Sequence, residues 1–204
     1  MSVPRRWLWG DRERTFQDAR SRCPERMEQD RSINLTLSIQ DSMTGRWLLL
    51  AVLTPYVGWL VFAYEYHLID GVNLAIHEAG HIIFGFFGQT AHFLGGTLAQ
   101  LMFPAAFVGQ FLYQGKGFDA CVLGVWFCES LMYAAKYIAD ARVQALPLVG
   151  GHIHDWNWLL SRWGMLGNCQ QLGTALHAAA SLGAVGLLLT AAGLLLRGRH
   201  VRTS

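Results

Sequence analysis

Residues 47–64 read WLLLAVLTPYVGWLVFAY, eighteen consecutive residues without a charged side chain. A helix of this length and composition is long enough to cross the hydrocarbon core of a bilayer. Arg46 and the aromatic residues at the two ends of the stretch are typical of membrane interfaces. The stretch therefore predicts a transmembrane helix, and it sets the class of fold in which the rest of the chain is interpreted.

Three further stretches have the same character. Residues 93–113 and 172–196 carry no charge over 21 and 25 residues, and residues 120–142 hold Glu129 near their middle. Of all 204 residues, 52% are hydrophobic and only 15% are charged, well below the roughly 25% charged residues of soluble domains. We therefore predict an all-α integral membrane protein with about four full transmembrane helices and a short additional helix.

The two ends of the chain are polar. Residues 1–46 hold nine of the sixteen Lys and Arg residues together with seven acids, which predicts a soluble Arg-rich arm with a short helix at 12–22. The near balance of charge argues against nucleic-acid binding and favours an arm held beside the membrane on its cytoplasmic side, with the lipid bilayer as the partner. Residues 197–204 form a basic tail, which leaves residues 47–196 as the bundle. Basic ends favour both termini on the cytoplasmic side and an even number of crossings, although five crossings stay open.

The short helix carries the motif that indicates function. Residues 71–88 read GVNLAIHEAGHIIFGFFG, with His77, Glu78 and His81 in an otherwise apolar run. Histidines four residues apart lie on one face of a helix and supply two of the three protein ligands of a catalytic zinc. Glu78 then serves as general base toward a metal-activated water. The sequence predicts one Zn²⁺ per chain, held by His77 and His81, on a helix at 72–87 that either spans or is re-entrant.

The third zinc ligand has several candidates. If the motif helix spans, Glu129 lies about 14 Å deep, the same depth as the two histidines, and it is the first choice. Asp155 is the alternative, because the stretch GGHIHDW can fold back toward the metal. His152, His154 and Asp140 are the remaining candidates.

The motif resembles that of membrane-embedded zinc metallopeptidases, of which two kinds fit. Site-2 proteases carry His-Glu-x-x-His in a membrane helix and complete the site with an Asp from a later helix. Membrane gluzincins, similar to the CAAX-prenyl protease, use a Glu on a later helix. The chain lacks the Leu-Asp-Gly motif of site-2 proteases, for which residues 154–156 (HDW) are the candidate substitute. It also lacks the Glu-x-x-x-Asp motif of the gluzincins.

This resemblance covers only residues 72–88, and it implies a zinc metalloendopeptidase, a hydrolase that cleaves membrane proteins or peptides in or near the bilayer. A multi-pass protein of the bacterial inner (cytoplasmic) membrane is the expected setting. The alternatives are a non-enzymatic membrane protein that binds or transports metal and a lipid-modifying hydrolase. No feature of the sequence indicates the oligomeric state.

Overall fold

The computed structural model describes residues 43–148 and 153–203. The predicted arm before residue 43, its short helix at 12–22, and His152 lie outside the described residues. The described residues are 85% helical and contain no strand, which confirms the predicted all-α fold.

Six α-helices follow one another in the described part of the chain. Four of them, α1, α3, α4 and α6, are long and apolar enough to cross a membrane. Single turns of 3₁₀-helix follow α2 and precede α6. The bounds are α1 Met43–Phe62, α2 Leu68–Phe84, α3 Gln89–Tyr113, α4 Gly117–Asp140, α5 Asp155–Arg162 and α6 Cys169–Thr203.

Helix α4 is the most buried of the four long helices. Its apolar side chains form one core with α1 and α6, while large apolar residues elsewhere are exposed, as expected for surfaces that face lipid. Small residues let the helices approach closely, as the sequence indicates for such bundles. The core consists of Val57, Leu60, Val125, Cys128, Met132, Ala180 and Ala184, and the exposed residues include Phe62, Ile82, Phe86, Leu112, Leu182 and Leu189.

Contacts along α4 give the directions of the long helices. Tyr64, just after α1, accepts a hydrogen bond on its carbonyl from Lys136 near the end of α4, at 3.3 Å, so α1 runs parallel to α4. Gln100 of α3 bonds Ser130, whereas Phe107 lies over Trp126, so α3 is antiparallel to α4. Helix α6 is antiparallel as well, because its early residues lie beside the end of α4 and its late residues beside the start. The four long helices therefore alternate in direction.

Helix α2 begins beside the middle of α4, not beside its start. Asn73, in the second turn of α2, donates to the Glu129 carboxylate at 2.8 Å. The chain reaches this level by turning back after α1, since His67 lies 2.7 Å from the Tyr56 hydroxyl. The carboxylate of Asp70 then accepts from the His67 backbone N–H at 3.0 Å and caps the new helix. The chain thus enters and leaves α2 at the same end of the bundle, which is the path expected of a re-entrant helix.

Helices α2 and α3 contact through glycines. A Cβ on Gly80 would overlap the backbone of Gly95, and a Cβ on Gly96 would overlap the His77 ring. The absence of side chains at these positions therefore brings the α3 backbone against the motif face of α2. Gly88, with φ of 99°, makes the turn between the two helices.

Candidate metal centre

The two motif histidines face the same point in space. Their rings lie on one face of α2, with centroids 4.8 Å apart. The Nε2 atom of His77 lies 2.9 Å from Oδ2 of Asp155, and the Nε2 atom of His81 lies 3.3 Å from the same oxygen. Three groups that bind zinc in proteins therefore converge, from two elements distant in the chain.

Asp155 is delivered by the short helix α5, of which it is the first residue. The ring of His154 accepts from the Asn157 backbone N–H at 3.3 Å and caps the helix. The Asn157 amide donates to the Ala141 carbonyl at 2.8 Å, and the Trp156 indole N–H donates to Thr97 of α3 at 3.1 Å. Helix α5 is thereby fixed against the end of α4 and against α3, which sets the position of the carboxylate.

The opposite ring nitrogens of both histidines face hydrogen-bond acceptors. Nδ1 of His81 lies 2.8 Å from the His92 carbonyl, and Nδ1 of His77 lies 3.0 Å from Oε1 of Gln100. The Gln100 amide nitrogen donates to the Ser130 carbonyl at 3.1 Å, so its oxygen is the atom that faces His77. Both Nδ1 atoms must therefore donate, and in the neutral rings both Nε2 atoms carry a lone pair.

Two Nε2 lone pairs and a carboxylate oxygen are all acceptors, and they repel one another unless a positive species lies between them. A divalent cation satisfies the three groups together, and carbonyl or carboxylate partners on the far nitrogen are typical of metal-binding histidines. The donor set present therefore fits a zinc ion.

Glu78 lies beside this centre. Its carboxylate and the two motif imidazoles have ligand atoms within 4.8 Å of one another. All three residues, with Asp155, line a cavity of about 430 Å³. Tyr133 and Tyr137 of α4 line the same cavity and bring hydroxyl groups to it. The cavity is of the size of pockets that hold small ligands in proteins, and Glu78 and the two histidines face it together.

The structure does not bring Glu129, the first choice for the third ligand, to the histidine pair. Its carboxylate accepts from Asn73 at 2.8 Å and lies 3.7 Å from His67. Asn73 is about one turn of α2 before His77. The depth match assumed that α2 and α4 start at the same level, whereas α2 starts beside the middle of α4. This shift moves Glu129 below the motif, so the predicted depth match is not found, and it is Asp155, the alternative candidate, that lies beside the histidine pair.

The other candidates hold the segment that leads to Asp155. The Asp140 carboxylate accepts from the backbone N–H groups of Ala145 and Leu146 at 2.9 and 3.0 Å. Nε2 of His154 lies 3.6 Å from the same carboxylate, and burial lowers the pKa of this imidazole below its ordinary value. Within the described part of the chain, Asp140 and His154 therefore serve the connection between α4 and α5.

Sequence reasoning missed the residues that orient the ligands. Gln100 is one of several uncharged polar residues in an apolar helix, and His92 acts through its backbone carbonyl, which no side-chain pattern reveals. Gly96 is a small residue in an apolar helix, and the sequence does not show that its neighbour is the His77 ring. The signal available in the sequence is the amide of Gln100 within an apolar segment, because an amide in such a segment needs a hydrogen-bond partner.

Comparison of the chain with protein-family models, with curated proteins and with solved structures finds no match. The functional interpretation therefore rests on the geometry of the site.

Proposed function

We propose that this protein is a zinc-dependent membrane metallopeptidase that hydrolyses peptide bonds in or near the bilayer. The observation that carries the proposal is the convergence of His77, His81 and Asp155, with both histidines oriented by acceptors on their far nitrogens. Three protein ligands with an open fourth position are typical of catalytic zinc, whereas structural zinc usually has four. Their place beside a cavity, next to a glutamate, favours catalysis over storage of the metal.

The roles of the side chains follow from their chemistry. His77, His81 and Asp155 would hold the zinc ion. Zinc supplies Lewis-acid chemistry when bound, because it lowers the pKa of a water and polarises a carbonyl. Glu78 accepts the proton of the attacking water and then donates it to the leaving amine. Gln100 keeps the His77 ring in the tautomer that presents Nε2 to the centre.

The third ligand also bears on the kind of peptidase. An Asp from a later helix corresponds to the site-2-protease pattern, and a Glu from a later helix corresponds to the gluzincin pattern. Asp155, in the HDW stretch of residues 154–156, supports the first kind. The substrate would then be a membrane protein or peptide, and the bacterial inner (cytoplasmic) membrane is the setting that we propose.

The proposal is tested with the full chain in detergent micelles and a panel of peptides that cover transmembrane segments. Mass spectrometry of the products reports cleavage and its position. We expect cleavage that a zinc chelator abolishes and that added Zn²⁺ restores. Cleavage at an unchanged rate after complete removal of the metal would contradict the metallopeptidase assignment.

A further inference from the structure

A second group of ionisable side chains lies below the metal centre, where the turn before α2 meets the middle of α4. His67, Asp70 and Glu129 have ligand atoms within 4.8 Å of one another. Nδ1 of His67 lies 2.9 Å from Oδ2 of Asp70, and its Nε2 lies 3.7 Å from Oε1 of Glu129. The two carboxylates are almost completely buried, with 0% and 1% of their residue surfaces exposed. The proposed peptidase chemistry uses none of the three residues.

One atom of this cluster lacks a partner. Oε2 of Glu129 accepts from Asn73 at 2.8 Å, but Oε1 is buried without any hydrogen-bond partner among the described residues. It points toward His67. Buried carboxylate oxygens are nearly always satisfied, so an unpartnered one indicates a missing positive species.

The hydrogens available do not reach Oε1. Nδ1 of His67 faces Asp70 and, at 3.1 Å, the Glu65 carbonyl, so this nitrogen donates. The Tyr56 hydroxyl lies 2.7 Å from Nε2 and supplies a hydrogen to its lone pair when the ring is neutral. The hydroxyl of Tyr64 is used by the other oxygen of Asp70. Glu129 Oε1 is the acceptor left over.

The charge of the cluster also needs compensation. With both carboxylates ionised, the cluster would carry at least one net negative charge even if His67 were protonated, so either a proton shared between the carboxylates or a bound cation has to balance it. The nearby ammonium of Lys136 is held instead by the Tyr64 carbonyl at 3.3 Å and the Glu65 carboxylate at 3.6 Å. A net charge buried at this depth is strongly unfavourable unless a cation compensates it.

We infer that His67, Asp70 and Glu129 form a second metal site, which takes a transition-metal dication of the Zn²⁺ or Mn²⁺ class. One imidazole and two carboxylates are the mixed nitrogen and oxygen donors that such ions accept. Ligands about 2.1 Å from a tetrahedral ion lie about 3.4 Å apart, close to the 3.7 Å between Nε2 of His67 and Oε1 of Glu129. His67 would offer Nε2 to the ion in place of the Tyr56 hydrogen. Asp70 would offer a carboxylate oxygen in place of one of its present contacts, with Nδ1 of His67 or with the Tyr64 hydroxyl.

The position of the cluster gives the ion a structural role. His67 and Asp70 cap α2, and Glu129 belongs to the central helix α4. An ion shared among them fixes the level at which the re-entrant helix begins. Asn73 is one turn before His77, so this level also sets the position of the catalytic motif.

The test counts zinc in the full chain, purified in detergent with a tag that contains no histidine. The protein is stripped with a chelator, dialysed against Zn²⁺ and freed of excess metal by gel filtration. We expect two zinc ions per wild-type chain, one in Glu129→Gln, one in Asp155→Asn and none in the double variant. Glu65→Gln is the matched control, because its carboxylate is 78% exposed beside the same turn, and it should keep two ions.

The outcomes separate the two sites. A wild-type chain with one zinc that Asp155→Asn removes and Glu129→Gln retains overturns the second site and leaves the peptidase centre intact. One zinc with the opposite dependence supports the second site and refutes the proposed function. If Glu129→Gln does not stay monodisperse, the number of zinc ions in the wild-type chain tests the second site. His67→Gln then replaces Glu129→Gln as the variant that should lose this ion. If the wild-type chain binds one zinc ion and His67→Gln also binds one, a shared proton compensates the charge of the cluster, and the inference fails.

Discussion

Nε2 of His77 lies 2.9 Å from Oδ2 of Asp155, although 78 residues separate the two in the chain. The first residue comes from a re-entrant helix, and the second opens a short helix after the last turn of α4. Their contact, with His81 on the same oxygen, unites two parts of the chain in one centre. Every prediction below depends on this centre or on the residues that hold it.

Asp155→Asn should remove the zinc of the α2 centre and nearly all activity. The amide is neutral and offers only one weak oxygen ligand, so we expect a loss of cleavage of at least about 100-fold. Zinc per chain and the initial rate of cleavage are the two readouts. Glu129→Gln should retain the α2 zinc, and full loss of activity in that variant with none in Asp155→Asn would return Glu129 to the catalytic site.

His77→Ala combined with His81→Ala should remove the same zinc, because two of its three protein ligands are lost. Membrane insertion should be unchanged, since it follows the apolar length of the long helices. Fractionation of membranes checks insertion, and elemental analysis checks metal. A double variant that holds as much zinc as the wild type would show that these histidines are not ligands.

Gly96→Ala should weaken zinc binding without any change of a ligand. A methyl group there would overlap the His77 ring, and overpacking of this kind costs about 1–3 kcal/mol. Gly109→Ala, on the same helix, has nothing within 4 Å of its added Cβ and serves as the control. Competition with a fluorescent zinc chelator measures both affinities. Equal affinities in the two variants would mean that α3 does not constrain His77.

Gln100→Ala should lower zinc affinity by about 10- to 100-fold, the range for loss of a group that orients a metal-binding histidine. The amide accepts from His77 and donates to the Ser130 carbonyl, so its removal frees the ring and leaves buried groups without partners. Gln110→Ala is the control, because Gln110 is an exposed residue of the same helix. An affinity in Gln100→Ala equal to that of the control would exclude this orienting role.

The sequence predicts the helices well, because their signal is local. An uncharged run of about twenty residues indicates a membrane helix wherever it occurs, and predicted spans such as 93–113 match observed ones such as Gln89–Tyr113 within a few residues. The motif is local as well, since a spacing of four residues places His77 and His81 on one helical face whatever the rest of the fold does.

The position of the third candidate ligand is not a local property, and the predicted match in depth between Glu129 and the histidines is absent for a physical reason. Depth along a helix is comparable between two helices only when their starting levels are known. The turn at residues 63–67 takes the chain back along α1, and this offset of α2 against α4 brings Asp155 to the motif in place of Glu129. The partners of Glu129 at His67 and Asn73 depend on the same offset.

Glu78→Gln tests the central claim most directly, because the amide keeps the shape of the side chain but cannot take a proton from water at neutral pH. We predict zinc content equal to that of the wild type and a loss of peptide cleavage of at least about 100-fold. The exposed variant Glu65→Gln should cleave at the wild-type rate. Cleavage by Glu78→Gln at the wild-type rate, with zinc bound, would contradict the assignment of the base and with it the metallopeptidase account.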